Sequence, residues 1–271
     1  MWMINIIFAT IFVLAVIYLL ALRGRAGHAR LAQLRGWSYA HRGLHDKISP
    51  ENSMSAFQKA VQAGYGIELD VHLMKDGKLA VIHDSSLKRT AGADKKVEEL
   101  TAEDLPDYRL EGTEECIPLF TDVLQLVDGK VPLVVEIKTE GNNVIAVSEA
   151  TCAILSNYQG LYCVESFDPR AVAYVRKHYP KMVRGQLAHN SLKEESPFPW
   201  ILRFLLTYNL LNFWVVPDFI AYRYKDRKTV SNFLCRKLWR IQGVSWTITD
   251  EKQWRTAVDE GWIPIFENFK P

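Results

Sequence analysis

Residues 39 to 84 decide how the chain is read: Y-A-H-R-G (39–43), P-E-N-S-M-S-A-F-Q-K-A (50–60), G-I-E-L-D-V-H (66–72) and K-D-G-K-L-A-V-I-H-D (75–84). Three short apolar runs, at 37–41, 67–73 and 79–83, read as strands. The first and third end in His41-Arg42 and His83-Asp84. Glu68 and Asp70 stand two apart on the second, so their side chains share one face. Two carboxylates on one face repel each other unless a cation stands between them. Histidines beside them supply a proton acceptor and a proton donor, and a divalent cation would supply Lewis-acid charge.

The intervening residues fit this scheme. Asn52 and Ser53 are good helix N-caps, Met54, Phe57, Ala60 and Val61 form one apolar helical face, and Gly64 and Gly66 end the helix. The link 74–78 contains Asp76-Gly77 and is too short for a helical crossover between parallel strands. An irregularity is expected there.

Working outward, 131–138 (V-P-L-V-V-E-I-K) is a nearly continuous apolar run, as buried parallel strands show. Strands are also expected at 162–167, 183–187, 219–222, 243–249 and 263–267. Helices are expected after Thr121, read as an N-cap, ending near Asp128-Gly129, over 142–157, over 169–178, and after Asp250, read as its cap. That makes nine candidate strands, and either 79–83 or 219–222 is off-pattern. Residues 84–120 are polar and read as a long loop with some helix. The segment 198–216 holds one charge, Arg203, where a surface helix should show a polar face. It is either a buried barrel helix or a helix lying against a membrane, with Trp200 and Trp214 at interfacial depth and 223–228 near lipid phosphates.

Residues 4–22 carry no charge, and as a helix they span about 28 Å, close to a bilayer's hydrocarbon thickness. Met1-Trp2-Met3 lacks the basic start of a signal peptide, and no cleavage site follows. Residues 1–22 therefore read as a single-pass transmembrane anchor and 23–36 as a basic juxtamembrane linker. Arg23, Arg25, Arg30 and Arg35 place the following domain, 37–271, on the cytoplasmic side of the cell membrane. The 271 residues carry a net charge of +2, which gives no support to nucleic-acid binding. Four cysteines without metal spacing, Cys116, Cys152, Cys163 and Cys235, read as reduced thiols.

In order and spacing, H-R-G (41–43), P-E-N-S (50–53), A-F (56–57), E-L-D-V (68–71), K-D-G (75–77), H-D (83–84), L-K-R-T (87–90), I-P (117–118), E-I-K (136–138), E-S-F (165–167) and W-T-I-T (246–249) resemble the glycerophosphodiester phosphodiesterase family, in its membrane-anchored bacterial form. The resemblance runs from about 37 to 271 and is strongest in its first third. It implies an α/β fold, a somewhat irregular TIM-type (β/α)8 barrel, with 84–120 inserted over the mouth to help enclose the glycerol end of a substrate. It implies Glu68, Asp70 and Glu136 as ligands of a divalent cation, and carboxylates suit Mg2+ or Ca2+. It implies His41 and His83 as the acid–base pair and Arg42 on the substrate phosphate, whose oxygens a guanidinium fits. Lys138 would add positive charge there, or simply pair with Glu136. Trp246 would stand at the substrate mouth, or in the core.

The expected reaction is metal-dependent hydrolysis of glycerophosphodiesters to sn-glycerol 3-phosphate and an alcohol. Which histidine is the acid stays open, as does the choice between water and the glycerol hydroxyl as nucleophile. One alternative keeps the site and acts on a lysophospholipid or other membrane-bound phosphodiester, with the N-terminal helix in membrane lipid. A second alternative is a membrane-tethered barrel that binds without turnover.

Overall fold

The computed structural model describes residues 2–195 and 198–271; Met1 of the segment 1–22 and residues 196–197 within 37–271 lie outside the described residues. Among the described residues there are nine strands: β1 (Tyr39–His41), β2 (Gly66–Leu73), β3 (Leu79–Val81), β4 (Leu133–Ile137), β5 (Tyr162–Ser166), β6 (Arg184–Ala188), β7 (Phe219–Arg223), β8 (Gln242–Ile248) and β9 (Trp262–Phe266). Eight of them pair in parallel, and β9 returns to β1 to close the barrel. The off-pattern strand is β3, which runs antiparallel to β2 through the short 74–78 turn. The run at 219–222 is an ordinary barrel strand between β6 and β8.

The helices are α1 (Trp2–Ala21), α2 (Ala29–Leu34), α3 (Met54–Ala63), α4 (Lys88–Ala91), α5 (Phe120–Val127), α6 (Val144–Ser156), α7 (Pro169–His178), α8 (Trp200–Thr207), α9 (Asn212–Val215), α10 (Val230–Lys237) and α11 (Glu251–Asp259). Ser53 caps α3 by accepting from the Ala56 amide, and Asp250 caps α11 by accepting from the Gln253 amide. Thr121 is no cap: α5 begins one residue earlier, after Leu119, without a side-chain cap bond. The apolar stretch 198–216 is broken into α8 and α9 rather than forming one helix.

Strand periodicity sorts the side chains. Ile67, Leu69 and Val71, like Leu133, Val135 and Ile137, face the helix layer. Their alternates point into the barrel. There the lower part is filled by Tyr39, Val134, Cys163, Phe219, Val244 and Ile263. The upper part holds the buried carboxylates Glu68, Asp70, Glu136 and Glu165. Apolar interior thus gives way to polar interior along each strand, toward the C-terminal ends where barrel sites lie.

Residues 23–36, read above as a linker, are packed onto the barrel. Leu31 and Leu34 of α2 are buried in the interior cluster, closing its N-terminal end. The Arg25 guanidinium donates to buried Asp218 and to the carbonyl of Met182. The basic residues 223–228 are also engaged: Arg223 pairs with Glu194 and Asp226, and Arg227 with Glu260. Between β3 and α5 the excursion builds a small core of its own from Ile82, Leu87, Val97, Leu100, Leu105 and Leu110.

Because Leu34 fills the barrel floor, Leu34→Ala is expected to cost about 2–5 kcal/mol, as cavity-forming core truncations do. Urea unfolding followed by circular dichroism measures it. A midpoint unchanged from wild type would mean that α2 is not part of the cooperative fold.

Candidate active site

Three neighbouring strands, β2, β4 and β5, build the acidic cluster. Register places Asp70 beside Glu136 and Glu136 beside Glu165. One carboxylate oxygen each from Glu68, Asp70 and Glu136 lies within 4.8 Å of the others. All four carboxylates are at least 95% buried. Burial raises the carboxyl pKa of Glu68 well above its ordinary range, and repulsion from Asp70, Glu136 and Glu165 raises it further. Burial likewise pushes Glu165 well up, and Glu136 up to about 7. Asp70 goes the other way. Although burial works against it, Lys138, His83, Arg42 and a hydrogen bond from Asn52 hold it well below the usual range.

The cations are placed to match. Lys138 Nζ lies 3.0 Å from Asp70 and 2.9 Å from Glu136, so it bridges two of the clustered acids rather than pairing with Glu136 alone. Arg42 stands at the sharp bend after β1, with φ 55°. Its amide donates to Glu68 at 3.0 Å, its Nη1 donates to both Glu51 oxygens, and its Nε lies 3.5 Å from Asp70. Gly43 continues the bend at φ 82°, where a Cβ would come within 3.0 Å of Ala56. Asn52, also at positive φ, donates from its side chain to Asp70 at 2.9 Å.

Each histidine is oriented by a carboxylate. His41 Nδ1 is 2.6 Å from Glu267, and His83 Nδ1 is 2.6 Å from Asp84. An ionised carboxylate only accepts, so Nδ1 carries the proton in both rings and Nε2 is left as the reactive nitrogen. The Nε2 of His41 faces Glu68 at 3.9 Å. Burial lowers the pKa of both imidazoles, that of His83 to about 4, against the pull of Glu267 on His41 and of Asp70 and Asp84 on His83. The hydrogen bond from His41, with His45 3.8 Å away on the same carboxylate, holds Glu267 well below the usual carboxylate range.

The donor set suits a divalent cation. It consists of hard oxygens, it is buried, and its mutual repulsion is what a dication would relieve. Seven of the sequence-predicted residues, His41, Arg42, Glu68, Asp70, His83, Glu136 and Lys138, converge here. Trp246 sits apart, half-buried, edge-on to Phe167 at 5.6 Å, with its indole donating to the carbonyl of Ala221. Sequence reasoning missed Glu267. The signal was there: it directly follows the apolar strand β9, the position where barrels place site residues. It also gave Glu51 no role, read Asn52 only as a helix cap, and left out His72. Buried His72 bonds Glu98 through Nδ1 at 2.8 Å and the His83 carbonyl through Nε2 at 3.1 Å, fixing the backbone that carries His83.

A family model described as the glycerophosphoryl diester phosphodiesterase family matches residues 41–269. A glycerophosphodiester phosphodiesterase of Caldanaerobacter subterraneus is 32% identical over 194 residues, covering 67% of this chain and 78% of its own. A lysophospholipase D of Rattus norvegicus is 36% identical over 108 residues, 35% of this chain and 34% of its own. Among solved structures, an Oleispira antarctica phosphodiesterase in complex with the product sn-glycerol-3-phosphate superposes with a TM-score of 0.73 at 20% identity, covering 90% of this chain and 95% of that one. The glycerophosphodiester phosphodiesterase of Thermotoga maritima gives 0.65 at 24% identity, over 86% and 95%.

Since Glu267 stabilises the charged form of His41, Glu267→Gln is expected to lower the His41 pKa further. An NMR titration of the imidazole resonances, compared with wild type, reads the shift directly. An unchanged or higher value would show that Glu267 does not polarise this ring.

Proposed function

The chain belongs to the glycerophosphoryl diester phosphodiesterase family, and on that footing we propose that it hydrolyses glycerophosphodiesters to sn-glycerol 3-phosphate and the free alcohol. The observation that carries the reading is two imidazoles, each with Nδ1 on a carboxylate, converging on one buried acidic cluster. One imidazole takes the proton of the attacking hydroxyl, and the other delivers a proton to the departing alkoxide. Glu267 and Asp84 hold the rings in the tautomer that exposes Nε2. Arg42 and Lys138 bind the phosphoryl oxygens, where charge grows in the transition state.

Glu68, Asp70 and Glu136 would hold a divalent cation, Mg2+ or Ca2+. When bound, that ion supplies Lewis-acid charge to the phosphoryl group. Its presence would also release Lys138 from its two carboxylates toward the substrate. The excursion 84–120 closes over the glycerol end of the substrate, and Trp246 with Phe167 lines the side of the mouth.

Residues 1–22 anchor the enzyme in the cell membrane as a single span. The arginines that follow favour a cytoplasmic catalytic domain. Among the described residues one helix, Trp2–Ala21, is long and apolar enough to cross a bilayer, and none of its residues is fully buried. That helix, with the similarity to a lysophospholipase D, also supports a second substrate reading in which the site takes lysophospholipids. A barrel that only binds would not need both oriented imidazoles.

The full-length protein, purified in detergent, is expected to release sn-glycerol 3-phosphate from glycerophosphocholine, glycerophosphoethanolamine or glycerophosphoglycerol with Mg2+ or Ca2+, and to stop with chelator. His41→Ala and His83→Ala should each lose about 10²–10⁴-fold in kcat, the usual worth of an acid or base. Activity on lysophospholipids alone would select the second reading. Wild-type rates from either variant would overturn the acid–base assignment.

A further inference from the structure

We infer that α8, α9 and α10 form a face of the barrel that lies in the bilayer surface, an inference that rests on α1 being a membrane anchor. The joint between α1 and the barrel is packed. Leu22 is fully buried against Ile220, Cys235 and Ile241, and Tyr18 packs with Leu210, Leu234 and Trp239. The Trp239 indole donates to the Leu19 carbonyl at 2.8 Å, tying down the last turn of α1. Four residues past the end of α1, Arg25 is held by Asp218. The direction in which α1 leaves the barrel is therefore fixed by side-chain contacts, and whatever medium surrounds α1 also meets the surface around its exit.

That surface is unlike the rest of the barrel. Outside α1, the exposed large apolar side chains among the described residues are Ile48, Ile145 and Val258, and eight more that all fall between 198 and 238. Those eight are Phe198, Trp200, Ile201, Phe213, Trp214, Val230, Phe233 and Leu238, and they come from the segments on either side of the α1 exit.

The polarity of α10 is inverted. Its buried residues are Ser231, Asn232 and Cys235, while Val230 and Phe233 are 70% and 60% exposed. Inside, Asn209 donates to Asn232, Asn232 donates to the Arg227 carbonyl, and Asn212 donates to the Cys235 thiol. A helix against water turns its polar side chains out. This one satisfies them inward with hydrogen bonds and shows hydrocarbon outward.

Trp200 and Trp214 give the face the aromatic residues that favour the headgroup boundary. Exposed Arg23, Lys237 and Arg240 supply cations beside the α1 exit for lipid phosphates. The occupant is thus the lipid bilayer that holds α1, and the barrel rests on it through a broad side rather than hanging from a tether.

The test places an environment-sensitive fluorophore on a single cysteine at Ile201, Phe233 or Ile145, each in a Cys116→Ser background. The labelled full-length chains go into vesicles of phosphatidylcholine and phosphatidylglycerol containing doxyl lipids. Ile145, 63% exposed on α6, is the reference for a water-facing apolar residue. Emission at 201 and 233 is expected to shift to the blue and to be quenched by the doxyl groups, with neither change at 145. Labels at 201 and 233 as water-like as that at 145 would overturn the inference. So would a blue shift without quenching, which would mean that a second copy of the chain covers the face. Flotation with the vesicles reports the anchor separately, so its failure is distinguishable from failure of the face, and phosphodiesterase turnover enters neither readout.

Discussion

Mutual repulsion among four buried carboxylates is the constraint on which the upper half of this barrel depends. Glu68, Asp70, Glu136 and Glu165 come from three adjacent strands, and parallel register brings three of them to one level. Removing charged carboxylates from water is costly unless each is paired or protonated. Lys138 and Arg42 answer part of that demand, and Asp70, which lies within ion-pair distance of both, is the acid they keep ionised. The remainder appears as raised proton affinity on Glu68, Glu136 and Glu165. A site so over-supplied with oxygen donors is unfavourable in itself, and the sheet around it tolerates it because hydrophobic packing on the other strand face is continuous.

The histidines follow from the same arrangement. Each sits where its ring is buried enough to stay neutral, and each is aimed by a carboxylate at the protonated nitrogen. One orienting acid is local in the chain, and the other is brought in only by the closed fold. Asp84 is the next residue after His83, whereas Glu267 is 226 positions from His41 and reaches it only because β9 pairs with β1. Closure of the barrel is in this sense what assembles the candidate site, while α2 and Arg25 pack against the other end.

Much of this was legible in the sequence because parallel strands announce themselves as apolar runs and barrels put polar residues at strand ends. His41, Glu68, Asp70, His83, Glu136 and Lys138 all stand at such ends. Local contacts were readable too: the Ser53 and Asp250 caps, and the 74–78 turn that forces an antiparallel strand. What could not be read was long-range. Nothing in spacing joins Glu267 to His41, or marks 29–34 as a plug rather than a tether. Periodicity alone did not choose between 79–83 and 219–222 as the off-pattern strand, since both are short apolar runs; only pairing partners separate them. Thr121 looked like a cap because threonine is a good one, but Leu119 holds the cap position, two residues sooner, and Phe120 is already buried in the first turn.

The claim most exposed to test is that the carboxylate cluster is a cation site. Calorimetric titration of Mg2+ and Ca2+ into the substrate-free enzyme near neutral pH, repeated in buffers of different ionisation enthalpy, measures both binding and proton release. Glu136, with its pKa pushed up to about 7, is partly protonated there, and Glu68 is shifted in the same direction, so a bound dication should expel protons. The account predicts saturable binding with proton release, lost in Asp70→Asn. Absence of binding to the wild-type enzyme, or equal binding by Asp70→Asn, would contradict it.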